Sequence, residues 1–305
     1  MVLRVGTDCS GIECPIQALQ NINIPFEHVW SSETDRWCIK NILANFNPKH
    51  LFGDVTQRDN SQLPGIDLYV AGFPCQPFSS CGKRKGFNDS RGHVFFACLD
   101  VIQRKQPKMF VLENVKGILT NDKGKTWEVV WGEIQKLEQY GYTVDWKILN
   151  TRDYGIPQNR PRIYIIGLKG KIISGAWLPR DIKWPNKCTM KSIKTFVDYS
   201  DKNRSNTSTK IETYISMHQN STFLNMDFYG ETKNTKTDYV NCIMKSNKIW
   251  CVPLHRWATT NELASLQGIH ITNTVSKTQF KYQIGNAMSV NVLEKLMECN
   301  IIPKE

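Results

Sequence analysis

The sequence predicts an α/β fold: a mostly parallel sheet with helices on both faces, joined to a smaller and more polar unit. Three observations carry this. Over residues 1–185, short apolar runs alternate with amphipathic stretches, the texture of repeated strand–helix units. From about Pro185 to His255, Lys, Asn, Ser and Thr dominate, with scattered aromatics. A last amphipathic stretch, Val290 to Met297, predicts a closing helix that returns to the first unit.

Short apolar runs predict strands at Leu3–Thr7, His28–Ser31, Leu68–Ala71, Met109–Glu113, Thr143–Leu149 and Arg162–Leu168. Helices are predicted between them at Cys14–Gln20, Asp35–Asn45, Phe95–Lys105 and Trp127–Tyr140. The last places Val129, Val130, Ile134 and Leu137 at helical spacing. In the polar segment, Phe196, Tyr199, Tyr214, Phe223, Phe228, Tyr229, Tyr239 and Trp250 argue against simple disorder. Thr259–Gln267 reads as a helix, and Gln283-Ile284-Gly285-Asn286 as a turn. The expected organisation is residues 1–185 plus 280–305 as one unit and 186–279 as the second.

The chain has 305 residues with 39 Lys plus Arg against 28 Asp plus Glu, a formal charge of +11 and a pI near 9.1. That excess favours a polyanionic partner. No apolar run approaches the roughly 20 residues that span a bilayer, so no membrane partner is expected. Strand-like Leu3-Arg4-Val5 so close to Met1 leaves no room for a signal peptide. The ten cysteines show neither a disulfide framework nor the close-pair spacing of zinc sites. An intracellular protein with reduced thiols and no metal is the expectation.

Four runs carry candidate chemistry. Ala71-Gly72-Phe73-Pro74-Cys75-Gln76-Pro77-Phe78-Ser79 puts a thiol just beyond an apolar strand, where open α/β sheets place their reactive groups. A basic, Gly- and Ser-rich stretch follows, Ser79-Ser80-Cys81-Gly82-Lys83-Arg84-Lys85-Gly86. Val111-Leu112-Glu113-Asn114-Val115 ends a strand with a carboxylate. Gln158-Asn159-Arg160-Pro161-Arg162 sets two guanidiniums two residues apart before a strand, and Gly285-Asn286 precedes the last helix. Singly, each has a bland explanation: a buried cysteine, a capping Glu, surface arginines, a solvated loop.

Together, and in this order, they resemble the DNA (cytosine-5) methyltransferase family. Phe73-Pro74-Cys75-Gln76 matches its nucleophile motif, Glu113-Asn114-Val115 its Glu-Asn-Val motif, Gln158 to Arg162 its Gln-x-Arg-x-Arg motif, and Gly285-Asn286 its C-terminal Gly-Asn motif. Ser32-Glu33 and Gly53-Asp54-Val55-Thr56 fall where cofactor motifs belong, and Gly86 to Gly92 matches the end of the mobile catalytic loop. The resemblance covers about 1–185 and 256–305. The sequence departs from the family at Cys9, where Phe is usual, at Glu13, where a second Gly is usual, at Thr34, and at Asn261.

The resemblance implies a Rossmann-like sheet that binds S-adenosylmethionine and a small target-recognition domain at 186–279. It implies methyl transfer to C5 of a flipped-out cytosine in a short double-stranded DNA sequence, as in restriction-modification systems, by a monomer that uses no metal. Cys75 would add to C6, Glu113 would bond N3 and the exocyclic amine, and Arg160 and Arg162 would hold O2 and lower the thiol pKa. Cys9, Ser10, Gly11, Ile12, Glu33, Thr34, Asp54, Val55, Pro74, Val94, Asn286 and Ala287 would form the cofactor site. Glu33 would take the ribose hydroxyls and Asp54 the adenine amine. Ser79, Lys83, Arg84, Lys85 and Arg91 would contact DNA. A prokaryotic cytoplasm, a nucleus or a viral compartment would suit such an enzyme. Two alternatives stay open: a tRNA cytosine-5 methyltransferase of the same superfold, whose Cys-Phe-Thr signature is missing here, and a nucleic-acid-binding protein with a decayed cofactor pocket.

Overall fold

A computed structural model describes residues 2–74, 93–173, 176–228, 237–246, 248–271 and 276–301. Cys75, Ser79, Lys83, Arg84, Lys85 and Arg91 lie outside the described residues. In the first part of the chain, strands β1 (Leu3–Asp8), β2 (Phe26–Ser32), β3 (His50–Phe52), β4 (Leu68–Ala71) and β5 (Met109–Val115) are separated by helices α1 (Cys14–Asn21), α2 (Arg36–Asn45) and α3 (His93–Lys105). Helix α4 (Lys125–Gln135) follows, and its last turn tightens over Lys136–Tyr140. Strands β6 (Tyr142–Asn150), β7 (Gln158–Asn159) and β8 (Pro161–Lys169) complete this part.

Seven strands form one sheet in the order β3-β2-β1-β4-β5-β8-β6. From β3 to β5 every pair is parallel. The sequence order reverses between β1 and β4, and Asp8 pairs with Ala71 so that the two carboxyl ends are level. Such a switch point opens a crevice above the strand ends. The other edge differs from the parallel expectation: β8 runs antiparallel to both β5 and β6. Only residues 151–160 connect β6 to β8, and no crossover helix is present there to return the chain in parallel.

Period-two alternation fills both faces of the sheet. Val70, Val111 and Ile166 pack with Ile16, Leu19, Leu293 and Leu296. Tyr69, Ala71, Phe110, Leu112 and Ile165 face Phe95, Ile102, Val130 and Ile134. Helix α2 starts where Asp35 accepts the N–H groups of Trp37 and Cys38, an N-cap that sets the acidic 33–35 corner at the mouth of the crevice.

After the β9–β10 hairpin (Lys171–Ile173, Ala176–Leu178), the polar segment builds α5 (Thr209–Ser216), β11 (Phe223–Asn225), β12 (Val240–Asn241), β13 (Ile249–Cys251) and β14 (Arg256–Trp257). Strands β11, β13 and β14 form an antiparallel sheet over Tyr214, Ile215, Leu224 and Trp250. Of the aromatics expected to order this segment, Tyr214 and Trp250 lie in that core and Phe223 in the main one, while Tyr199 is exposed. Strand β12 pairs instead with β7, which brings residues 240–245 to the strand that precedes Arg160.

Helices α6 (Thr260–Ser265), α7 (Lys277–Asn286) and α8 (Val290–Asn300) close the chain. Thr259 and Glu262 form a capping box at α6, and Glu262 also binds Arg256 through two 2.8 Å contacts. Gln283 to Asn286, expected as a turn, is the last turn of α7. Phe280 and Ile284 are buried at i,i+4, and Ser276 caps the helix start. Gly285 is tolerated within that turn because the backbone of Met244 and Lys245 lies 2.2–2.6 Å from where its Cβ would stand.

Candidate active site

The crevice above β1, β4 and β5 is a cleft of about 480 Å³. Nine of the sequence-predicted cofactor residues line it: Cys9, Gly11, Glu33, Thr34, Asp54, Val55, Pro74, Val94 and Asn286. Ser10, Ile12 and Ala287 line a smaller cavity of about 40 Å³ immediately behind, shared with Glu113. Ser10 and Ile12 are themselves buried. The structure therefore brings all twelve together, nine at the open face and three beneath it.

The loop after β1 turns through two left-handed residues, Cys9 (φ 51°) and Gly11 (φ 57°), and Glu13 (φ 60°) makes a third. Glu13, at the position of the usual second glycine, sends its side chain under the loop. Its Oε1 accepts from Thr7 Oγ1 at 2.6 Å and Ser31 Oγ at 2.5 Å, with His28 Nε2 at 3.5 Å. Below this layer, Asp8 receives Arg58 on both oxygens at 2.9 and 2.8 Å and Tyr69 Oη at 2.7 Å. The half-buried Cys9 thiol is hydrogen-bonded with Cys98, and that bond and desolvation together hold it protonated, well above the ordinary thiol range.

Glu33 stands at the end of β2. Its Oε2 accepts the Gly11 N–H at 2.7 Å, and its Oε1 accepts those of Thr34 and Asp35 at 2.7 and 2.9 Å. Burial raises its carboxyl pKa against those three donors. A carboxylate offers about four acceptor positions, so one remains for a ligand hydroxyl. Asp54 holds the Thr56 N–H and hydroxyl on Oδ1 and is exposed on the cleft rim. Nothing lies within 4 Å of where a Cβ would stand on Gly11 or Gly53, so the floor is open at both points. An open floor, an acidic rim of Glu33, Asp35 and Asp54, and an apolar wall of Val55, Phe73, Pro74 and Val94 fit a cationic nucleoside such as S-adenosylmethionine.

At the other end of the cleft, β5 presents Glu113 and β8 presents Arg162. Arg162 Nε lies 3.2 Å from Glu113 Oε1, and the two side chains are 13% and 12% exposed. Burial pushes the Glu113 carboxyl up, against the opposing pull of Arg162 and Arg160. The two guanidiniums, expected to act alike, are used differently. Arg160 is buried, and its N–H groups go to the carbonyls of Ile243 (2.9 Å), Gly285 (3.1 Å) and Ala287 (2.7 Å). It ties residues 240–245 to the end of α7, while Arg162 faces the carboxylate. Asn114 donates to the Phe73 carbonyl at 3.2 Å, fastening the segment that leads into Cys75.

Asp35, Cys38, Lys245, Gln279 and Tyr282 also line the cleft, as does Gln283, expected only as part of a turn, and Cys242 lies beside the arginines; none of these was an expected site residue. Asp35 had a signal, as an N-cap residue before a helical pattern. Cys242 and Lys245 had none, since a two-residue strand pairing delivers them. Gln158 reinforces that pairing, donating to Leu266 O at 2.8 Å and accepting Ile243 N–H at 3.1 Å.

The profile of the family described as C-5 cytosine-specific DNA methylase matches residues 8–300. The orphan methyltransferase M.SPRI of Bacillus phage SPR is 42% identical over 183 residues, 59% of this chain and 41% of that protein. The type II methyltransferase M.NgoBI of Neisseria gonorrhoeae is 48% identical over 145 residues, 48% of this chain and 44% of that protein. The matched region thus spans less than half the length of these curated relatives. The crystal structure of S. pombe Dnmt2 methyltransferase superposes with a TM-score of 0.64, covering 97% of each chain at 20% identity, which speaks to the fold. With its sheet order, its strand-end carboxylate and guanidinium, and a family profile matching nearly its whole length, the chain belongs to the C-5 cytosine-specific DNA methylases.

Proposed function

We propose that the protein transfers a methyl group from S-adenosylmethionine to C5 of a flipped-out cytosine in a short double-stranded DNA sequence. The observation that carries this is the Glu113–Arg162 pair at the strand ends, 3.2 Å apart and nearly buried, beside the Gly72-Phe73-Pro74 approach to Cys75.

Cytosine C5 is a weak nucleophile toward an alkyl carbon. A Cys75 thiolate adding at C6 converts the ring to an enamine, with the electron pair drawn toward N3. Glu113 in its protonated form donates to N3 and so receives that developing charge; its burial supports this form. Arg162 holds the pyrimidine O2 edge. Arg160 acts at a distance, keeping the wall of residues 240–245 in register with α7. Bound S-adenosylmethionine, held by Gly11, Glu33, Asp54 and Asn286, supplies an electrophilic methyl group. Loss of the C5 proton to a base and expulsion of Cys75 then restore the ring. Duplex stacking hides C5 and C6, so the base must leave the helix. Ser79, Lys83, Arg84, Lys85 and Arg91 are assigned to the phosphates, in keeping with the +11 charge. Residues 1–185 and 280–305 would be the catalytic part and 186–279 the part that reads the target. The enzyme would act as a metal-independent monomer inside the cell or a viral compartment.

Labelled-methyl transfer to duplex DNA and to total tRNA tests the substrate. Bisulfite sequencing of a plasmid from expressing cells identifies the target. DNA with 5-fluorocytosine at that target should trap the wild type covalently. A trap that survives Cys75→Ser overturns the mechanism.

A further inference from the structure

Two guanidiniums and a single carboxylate meet at the catalytic end of the cleft. Arg162 pairs with Glu113, whereas Arg160 makes no ion pair with a carboxylate among the described residues and feels Glu113 only through space. Its partners are three carbonyls and one sulfur: Arg160 Nη1 lies 3.3 Å from Cys242 Sγ. Arg162 Nη2 reaches the same sulfur at 3.7 Å. Arg160 Nε, buried, has no partner among the described residues. Two positive charges therefore share one carboxylate and one thiol in a nearly dry corner.

This poses a problem for the proposed reaction. Glu113 must hold a proton to donate to N3, yet a guanidinium at 3.2 Å favours its ionised form. When Glu113 takes up the proton, the corner carries two uncompensated buried cations, which is unfavourable.

We propose that Cys242 is a positioning residue of this reaction: its sulfur is the counter-charge shared by Arg160 and Arg162, and it frees Glu113 to stay protonated. The inference rests on the methyl-transfer reading of the site. Burial by itself would raise the Cys242 thiol, but Arg160 and Arg162 outweigh it and bring it below the ordinary thiol value. Among the described residues, the charged or titratable groups around this corner are Arg160, Arg162 and Tyr164 from the β8 side, Glu113 from β5, Cys14 from α1, and Lys245 three residues along the chain from the thiol. Cys14 is held neutral, pushed up to about 12 chiefly by burial, and burial likewise raises Tyr164. Of these neighbours, Cys242 alone is both in contact with the two guanidiniums and biased toward a negative charge.

The test compares kcat against pH for wild type, Cys242→Ser and Cys242→Asp with labelled-methyl transfer to DNA. Rate needs protonated Glu113, so kcat falls as pH rises through the Glu113 pKa. Removing the neighbouring negative charge lowers that pKa, and in Cys242→Ser the fall should move about one pH unit lower. Cys242→Asp keeps a charge and should restore the wild-type midpoint, while KM for DNA stays within about twofold. A purely packing role gives the opposite ranking, with near-isosteric Ser like wild type and Asp the more perturbed, and that result overturns the proposal. A readout without turnover separates it from the functional reading. The thiolate ultraviolet absorbance that wild type has and Cys242→Ser lacks should titrate with a midpoint below about 8.5, the free-thiol value. A midpoint at or above that value overturns the role of Cys242 even if wild type methylates DNA. If the midpoint is low and wild type transfers no methyl, the functional reading is what falls.

Discussion

Arg58 grips Asp8 with both terminal nitrogens, at 2.9 and 2.8 Å, and the pair is almost wholly buried beneath the loop that carries Cys9 and Gly11. Asp8 is the last residue of β1, and Arg58 also donates to Ser32, the last residue of β2. The pair thus locks together the strand ends on which the cofactor loop rests. Arg58→Ala leaves Asp8 as an uncompensated buried charge and should cost about 3–5 kcal/mol in stability. Denaturant unfolding checks this. Arg58→Lys, which loses the fork, should recover only part of the loss.

Glu113→Gln keeps the side-chain volume but replaces the ionisable carboxyl. The amide can hydrogen-bond N3 but is far too weak an acid to neutralise the charge developing there, so kcat should fall roughly 10²–10³-fold with little change in DNA affinity. Single-turnover methyl transfer beside equilibrium DNA binding measures the two effects separately. Loss of affinity with unchanged kcat would contradict the assigned role.

The two arginines should fail in different ways. Arg160→Ala strips the bonds from the carbonyls of Ile243, Gly285 and Ala287. Ala287 O keeps Gln267 Nε2 as a donor, but the Ile243 and Gly285 carbonyls lose the Arg160 bonds at about 1–3 kcal/mol each, so the variant should melt below wild type. Arg162→Ala removes a donor that faces the cleft and should keep most of its stability while losing methyl transfer. Thermal melts run beside activity assays distinguish the two.

Asp67 joins β1 to the start of β5 through Arg4 (3.1 Å) and Lys108 (3.0 Å). Burial opposes its charge, but the bonds from Arg4 and Lys108 win and draw its pKa from 3.8 to about 2. A lowered folded-state pKa means stability that is present above the unfolded value and is lost as pH falls toward the folded one. The Asp67 contribution should therefore be complete above about pH 4 and disappear toward pH 2. In Asp67→Asn the stability difference from wild type should shrink across that window, as acid titration of the unfolding midpoint will show.

Much of the site was legible because strand-end motifs are local. Glu113 and Arg162 fall at strand ends, and period-two alternation carries them to one corner. The separate duties of Arg160 and Arg162 were not legible, since they depend on carbonyls more than 80 residues away in the chain. Cys242 and Lys245 reach the cleft through a two-residue pairing with Gln158 and Asn159, too short to leave a sequence pattern. Gly285-Asn286 suggested a turn because that dipeptide is a local breaker, yet the burial of Phe280 and Ile284 overrides it. For β6 and β8, apolar alternation located the strands but carries no information about direction.

Glu13 has a further consequence. A loop that relies on two glycines explores many shapes when empty and loses that freedom when a ligand settles in it. Here the second glycine is absent, and the carboxylate in its place is clasped by Thr7 and Ser31 from neighbouring strands. The left-handed bend at Glu13 is held by side-chain anchoring. A loop anchored in this way loses less conformational entropy when a ligand docks on it than a loop bending on two glycines would. What such a loop gives up is adaptability: a bulkier ligand would find less slack there than two glycines would leave.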